Sequence, residues 1–211
     1  MTATPQIIVI HNGKGGVGKT TTTMGIASIL AERQKILVVD TDEQGSCSWW
    51  CDRGEMPFDV VQEVEAKHLK KLRQASKYET IVVDTPPALR SAQLDAVLEA
   101  ADFVILPTPC APMDLIALMN TVRDAIKPTN IRHRVLLTKV DSRCLSEAID
   151  AQNHLISAGV PVCHSFIRSY KAHERAALEG LPINQLRGKN AKEAEADYRR
   201  VADELQRDWR S

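Results

Sequence analysis

The chain has 211 residues, 44% of them apolar, which suffices for one sizeable α/β core and is short for two, so residues 1–211 read as a single domain. Its 27 lysines and arginines balance 27 aspartates and glutamates, so no global field draws it onto nucleic acid or anionic lipid, and any such binding must be local. No 18-residue apolar run and no charged-then-apolar leader occur, which points to a soluble cytoplasmic protein. Cys47, Cys51, Cys110, Cys144 and Cys163 contain no CxxC pair and read as free thiols rather than a metal or cluster site.

Residues 6–11, Gln-Ile-Ile-Val-Ile-His, are an apolar run of strand length. Residues 13–20, Gly-Lys-Gly-Gly-Val-Gly-Lys-Thr, follow as a complete phosphate-binding loop, and residues 20–33 set Ile26, Ile29 and Leu30 at helical spacing. Strand, glycine loop, helix is the order phosphate binding requires. Gly13, Gly15, Gly16 and Gly18 let backbone N–H groups converge on phosphate oxygens where side chains would obstruct them. The helix N-terminus adds roughly half a positive charge behind the phosphates. Lys19 supplies the point charge at the β- and γ-phosphates of ATP, and Thr20 offers its hydroxyl to Mg²⁺, a cation that prefers hard oxygen ligands. The nucleotide-contacting stretch extends over 13–21, with Val17 and Thr21 included. Lys14 is surplus, because one ATP site needs one such lysine. Local geometry, chance or a second subunit would each account for it.

Further strands are expected at 35–40, 58–62, 80–84, 103–107, 134–140 and 161–167, with helical patterns between most of them. The last of these takes in Cys163 and His164, which read as strand rather than as a ligand pair. Continuous apolar runs such as 36–39 and 81–83 suit a sheet buried on both faces, hence a doubly wound, mainly parallel α/β fold. Ligands then lie beyond the carboxyl ends of the strands. At the second of these ends, residues 39–45 read Val-Asp-Thr-Asp-Glu-Gln-Gly. Asp40 suits the hydration shell of the metal and Asp42 the orientation or deprotonation of an attacking water, the plainer alternative being a polar turn. At the fourth, Asp84 follows an apolar run and is the metal-side partner of the loop. Residues 138–141, Thr-Lys-Val-Asp, loosely match an Asn-Lys-x-Asp guanine reader, with the wrong first residue.

Together, Lys-Gly-Gly-Val-Gly-Lys-Thr with its early lysine, Asp-Thr-Asp-Glu-Gln-Gly and Val-Val-Asp-Thr-Pro-Pro resemble the deviant Walker ATPases of the ParA/MinD group. The likeness is to the small ParA type without an N-terminal winged-helix extension, and it continues through 106–114 and 166–180. The resemblance implies a SIMIBI-type P-loop NTPase that uses ATP and Mg²⁺. It makes Lys14 the signature lysine that reaches across an ATP-dependent homodimer, Lys19 the phosphate lysine, Asp42 the hydrolytic aspartate and Asp84 the second metal-site aspartate. It also implies adenine held near Thr138 and the strand end at Arg168. Hydrolysis would be slow and stimulated by a ParB-like or other cargo-adaptor protein, on nonspecific nucleoid DNA in the cytoplasm, in the service of plasmid or other cargo segregation.

For DNA, Arg187, Lys189, Lys192, Arg199 and Arg200 form one local basic segment and residues 123–143 another, the alternative being a solvated face. In the tail, Val201, Leu205 and Trp209 share a helical face. Asp203, Glu204 and Asp208 oppose an anionic membrane, so packing onto the domain is the expected use of that face. Two other readings of the scaffold are a MinD-like membrane-associated ATPase and a metabolic or redox P-loop enzyme.

Overall fold

A computed structural model describes residues 4–210, the side chains of residues 209 and 210 excepted. In chain order the strands are β1 (Gln6–Ile10), β2 (Ile36–Asp40), β3 (Asp59–Gln62), β4 (Thr80–Asp84), β5 (Phe103–Thr108) and β6 (His133–Leu137). The helices are α1 (Lys19–Leu30), α2 (Ser46–Cys51), α3 (Ala66–Leu69), α4 (Ala92–Ala100), α5 (Pro112–Thr121), α6 (Leu145–Ser157), α7 (Lys171–Glu179) and α8 (Lys189–Arg210). The strands form one six-stranded sheet in the order β3-β2-β4-β1-β5-β6, with every pairing parallel.

This is the doubly wound arrangement that the continuous apolar strands predict. All residues of β2, β4 and β5 are buried, because helices cover both faces of the sheet. Ile7, Val9, Leu37, Val39, Ile81 and Val83 point to the layer that holds α3, α4, α5 and α6. Ile8, Ile10, Val38, Val82 and Ile105 point to the layer of α1, α2, α7 and α8. The period-two alternation therefore divides one run of β-branched residues between two cores.

Register places the site. Ile10 pairs with Asp84, Asp84 with Asp40 and Asp40 with Gln62, so four strands end at one level. The phosphate loop leaves β1 at that level and enters α1 through Gly18, whose φ of 93° suits a residue without Cβ.

Two sequence expectations are corrected. The strand expected at 161–167 is only a pair of isolated bridges, Val135 to Val162 and Val140 to Arg168. Between them the chain bends, because the backbone N–H groups of His164 and Ser165 donate to the Glu204 carboxylate at 2.8 and 3.0 Å rather than to a neighbouring strand. The strand expected to run through Val140 stops at Leu137. There the Thr138 hydroxyl turns to the Val17 carbonyl at 2.8 Å, and Lys139 takes a φ of 54° that no strand residue adopts.

The tail packs on the domain. Ala194, Tyr198, Val201 and Leu205 line the buried face of α8, and burying each of the larger side chains contributes roughly 1.5–3 kcal/mol. Tyr198 lies against α1 at Gly25, where a Cβ would stand 2.4 Å from the ring, and its hydroxyl donates to the Thr21 carbonyl at 3.0 Å. The Trp209 side chain lies outside the described residues. No helix among them is long and apolar enough to cross a membrane.

Candidate nucleotide and metal site

The loop at residues 13–20 borders a cleft of about 360 Å³ that Gly15, Lys19, Thr20, Asp42 and Thr85 help to line. Its lysines are engaged within the chain. The Lys19 ammonium is mostly buried and donates to the Lys14 carbonyl at 3.0 Å. Burial lowers its pKa, while Asp84 and Asp42 act to raise it. Lys14 forms an ion pair with Asp114, on the first turn of α5, at 2.7 Å. Asn12 braces the loop from below: its amide donates to the Pro107 carbonyl at 2.8 Å and its oxygen accepts from the Lys14 N–H at 2.9 Å.

Asp40 and Asp84, adjacent across β2 and β4, are both buried. Asp84 accepts from the hydroxyls of Thr20 at 2.7 Å and Thr23 at 3.0 Å, and from the Cys47 thiol at 3.4 Å. Asp40 accepts backbone N–H groups from Asp42 and Cys47. Desolvation dominates both carboxyls, raising Asp40 and pushing Asp84 up to about 6. Asp40, Cys47 and Asp84 bring ligand atoms within 4.8 Å of one another. Two under-compensated buried carboxylates beside the Thr20 hydroxyl fit a hard dication such as Mg²⁺, whereas the thiol is a soft neighbour that already serves as donor to Asp84. Asp42, half-buried, faces the phosphate cleft, with one oxygen accepting from the Gln44 N–H at 3.0 Å.

His11, at the root of the loop, carries no role in the sequence reading. The Thr85 hydroxyl donates to the Ile10 carbonyl at 2.9 Å, so its 2.8 Å contact with His11 Nδ1 must have the ring as donor. The proton therefore sits on Nδ1, and Nε2 is left as a buried acceptor with no partner among the described residues. Burial, with Lys19 adding repulsion, holds this imidazole down at about 3, so it is neutral at physiological pH.

Thr138 and Arg168 come together at a neighbouring cleft of about 400 Å³, alongside Gly18, Thr21 and Tyr170. The Arg168 guanidinium is not free to reach into it. Asp197, fully buried, binds it at 2.7 Å and Glu193 at 2.9 Å. Asp141 is likewise turned outward, bound by Arg143 at 2.6 Å.

The basic segment divides in two. Arg199 is held by Glu32 and Glu195, at 2.6 and 2.7 Å, and Arg200 by Asp197. Lys189 and Lys192 are exposed in the first turn of α8, which carries no acidic residue, and Arg187 is exposed just before it. All five cysteines are free thiols.

The sequence reading gave no role to Asp114 or His11, read Cys47 only as a free thiol, and placed Lys139 only in the 123–143 basic segment and the Thr-Lys-Val-Asp run. Asp114 lies inside the quoted 106–114 motif, but a partner for Lys14 on α5 is visible only once β1 and β5 are neighbours. Lys139 lies inside the quoted Thr-Lys-Val-Asp run, which was its one signal toward a nucleotide site.

A parallel sheet that gathers a glycine loop, a buried lysine and two metal-competent aspartates at its carboxyl edge defines a P-loop nucleotide hydrolase. The chain belongs to the CobQ/CobB/MinD/ParA nucleotide-binding domain family, which matches residues 8–183. Membership implies use of ATP and Mg²⁺. The chain is 57% identical over 208 residues to maintenance of carboxysome distribution protein A of Gloeobacter kilaueensis, covering 98% of this chain and 96% of that one. It is 30% identical over 203 residues to chromosome partitioning protein ParA of Caulobacter vibrioides, covering 71% and 76%. Among solved structures, apo McdA of Cyanothece shares the fold with a TM-score of 0.77 at 16% identity, over 95% of this chain and 99% of that one.

Proposed function

We propose that this chain is an ATP-switched homodimeric ATPase that binds nucleoid DNA without sequence preference and distributes carboxysomes along it, with hydrolysis stimulated by a cargo-adaptor protein. The observation that carries the reading is the 57% identity, over 98% of the chain, to a protein named for carboxysome distribution. The site is consistent with it. Segment 13–21 takes the phosphates, with Lys19 as the phosphate lysine and the cleft between Thr138 and Arg168 taking the base. Asp40, Asp84 and Thr20 would hold Mg²⁺, which when bound supplies positive charge at the β- and γ-phosphates. Asp42, at the mouth of the phosphate cleft, orients the attacking water. Lys14 extends from the loop to a second subunit's nucleotide, so ATP becomes part of the dimer contact and hydrolysis removes it.

DNA contacts fall to Arg187, Lys189 and Lys192, because carboxylates of the same chain already neutralise Arg199 and Arg200. The core occupies Val201 and Leu205 on the apolar face of α8, which leaves those two side chains no lipid to meet and weighs against a MinD-like membrane role. Deleting the gene in a carboxysome-bearing host tests the reading. Carboxysomes should collapse from an even spacing into clusters, with Lys14→Ala failing to restore the spacing. Undisturbed spacing in the deletion strain would exclude the carboxysome as cargo.

A further inference from the structure

We infer that Lys139 is a nucleotide-binding residue, its aliphatic stem walling the purine cleft and its ammonium pinning the phosphate loop. This rests on the reading of the two adjoining clefts as an ATP site.

Lys139 is one of two non-glycine residues with positive φ among the described residues, the other being Asn130. Asparagine tolerates that region, whereas a lysine there is strained and glycine would not be. The side chain is exposed, and no carboxylate among the described residues pairs with its ammonium. The ammonium instead donates to the Gly16 carbonyl at 2.6 Å, one residue from the Val17 carbonyl that accepts from Thr138. Two consecutive residues past β6 thus stitch two consecutive carbonyls of the loop. Such bonds hold those carbonyls away from the phosphate side, which leaves the N–H groups for the ligand.

Lys139 also lines both clefts, the one of about 360 Å³ beside Lys19 and the one of about 400 Å³ between Thr138 and Arg168. A ligand that spans the two, as a nucleoside polyphosphate must, passes over its stem. Edge reading of the base has little to work with here, because Asp141 is bound to Arg143 and the Thr138 hydroxyl is spent on Val17. The contribution of Lys139 is therefore to hold the base and the loop, and it is the same whether or not a γ-phosphate is present.

The test titrates fluorescent ATP and ADP analogues against the full chain as wild type, Lys139→Gly, Lys139→Met and Lys139→Arg, with thermal melting in the absence of nucleotide. Lys139→Gly should melt close to wild type, since relief of the positive φ offsets the lost bond to the Gly16 carbonyl, yet bind both nucleotides about tenfold more weakly, because no stem walls the base and nothing pins the loop. Lys139→Arg should retain most of the affinity, and Lys139→Met should fall between. Unchanged affinity in Lys139→Gly overturns the inference alone. Weakening that merely follows a lower melting temperature also overturns it, by showing a structural role. A wild-type chain that binds neither analogue overturns the nucleotide reading as well.

Discussion

Lys14 and Asp114 form a 2.7 Å ion pair within one chain, joining the phosphate loop to the first turn of α5. The lysine proposed to reach a second subunit is thus already occupied in the monomer. Both partners keep contact with water, Lys14 at 42% and Asp114 at 15% exposure, so the pair biases the side chain without locking it. Asp114→Asn should release Lys14 and favour the ATP-bound dimer by up to about fivefold, the equivalent of about 1 kcal/mol for such a pair. Sedimentation with a slowly hydrolysed ATP analogue measures this. A weaker dimer in Asp114→Asn would show instead that Asp114 belongs to the dimer contact.

Asp42→Ala should leave nucleotide affinity within a few-fold of wild type and lower single-turnover hydrolysis by about 10²-fold or more, the scale of a lost general base or water-orienting group. Persistent ATP-bound dimers should follow. Hydrolysis at the wild-type rate would remove Asp42 from the proposed site.

For DNA, fluorescence anisotropy across a salt series should separate the two halves of the basic segment. Neutralising Arg187, Lys189 or Lys192 should each reduce the salt slope by about one. Arg199→Ala should leave the slope unchanged and lower stability modestly, because its charge is spent on Glu32 and Glu195. Equal slopes for all variants would place the DNA surface elsewhere.

His11 governs part of the acid limb of stability. Its folded pKa is depressed from 6.5 to about 3, so between those values the unfolded chain takes up a proton that the folded chain refuses. Stability from this group is full above pH 6.5 and drains as pH falls toward 3. Asp84, raised to about 6, acts in the opposite direction over part of the same window, so the informative quantity is the difference between wild type and His11→Gln. That difference in denaturant unfolding free energy should shrink steadily from pH 7 to pH 4. A constant difference would mean that His11 titrates normally in the folded chain.

Gly25→Ala should destabilise the chain by about 1–3 kcal/mol in denaturant titration, the usual cost of overpacking, because the new methyl meets the Tyr198 ring. Tyr198→Phe should cost about 1 kcal/mol through the lost bond to Thr21. If Gly25→Ala cost as much in a Tyr198→Ala background as it does in the wild-type chain, the contact would not be the cause.

Much of this was legible in the residues because the signals were local. The loop, its flanking strand and helix and the aspartates at 40 and 84 announce themselves through short-range pattern, and parallel register then aligns their ends. What sequence could not supply depends on long-range partners. The run at 161–167 has strand-like composition, yet Glu204 from the distant α8 takes the hydrogen bonds a strand would have made. Arg168, Arg199 and Arg200 look like free cations in the chain and become ion-paired only through Asp197, Glu193, Glu195 and Glu32. The tautomer of His11 depends on Thr85, which only the pairing of β1 with β4 brings near.

The absence of space between Gly25 and Tyr198 has a mechanical consequence. A close-packed interior compresses little, so any displacement of α1 on phosphate binding would press on α8 at that contact. As a rod of 22 residues, about 33 Å long at 1.5 Å per residue, α8 bears Lys189 and Lys192 at its far end. Of the elements packed on α1, the helix that carries Lys189 and Lys192 would thus feel such a shift through a tyrosine ring.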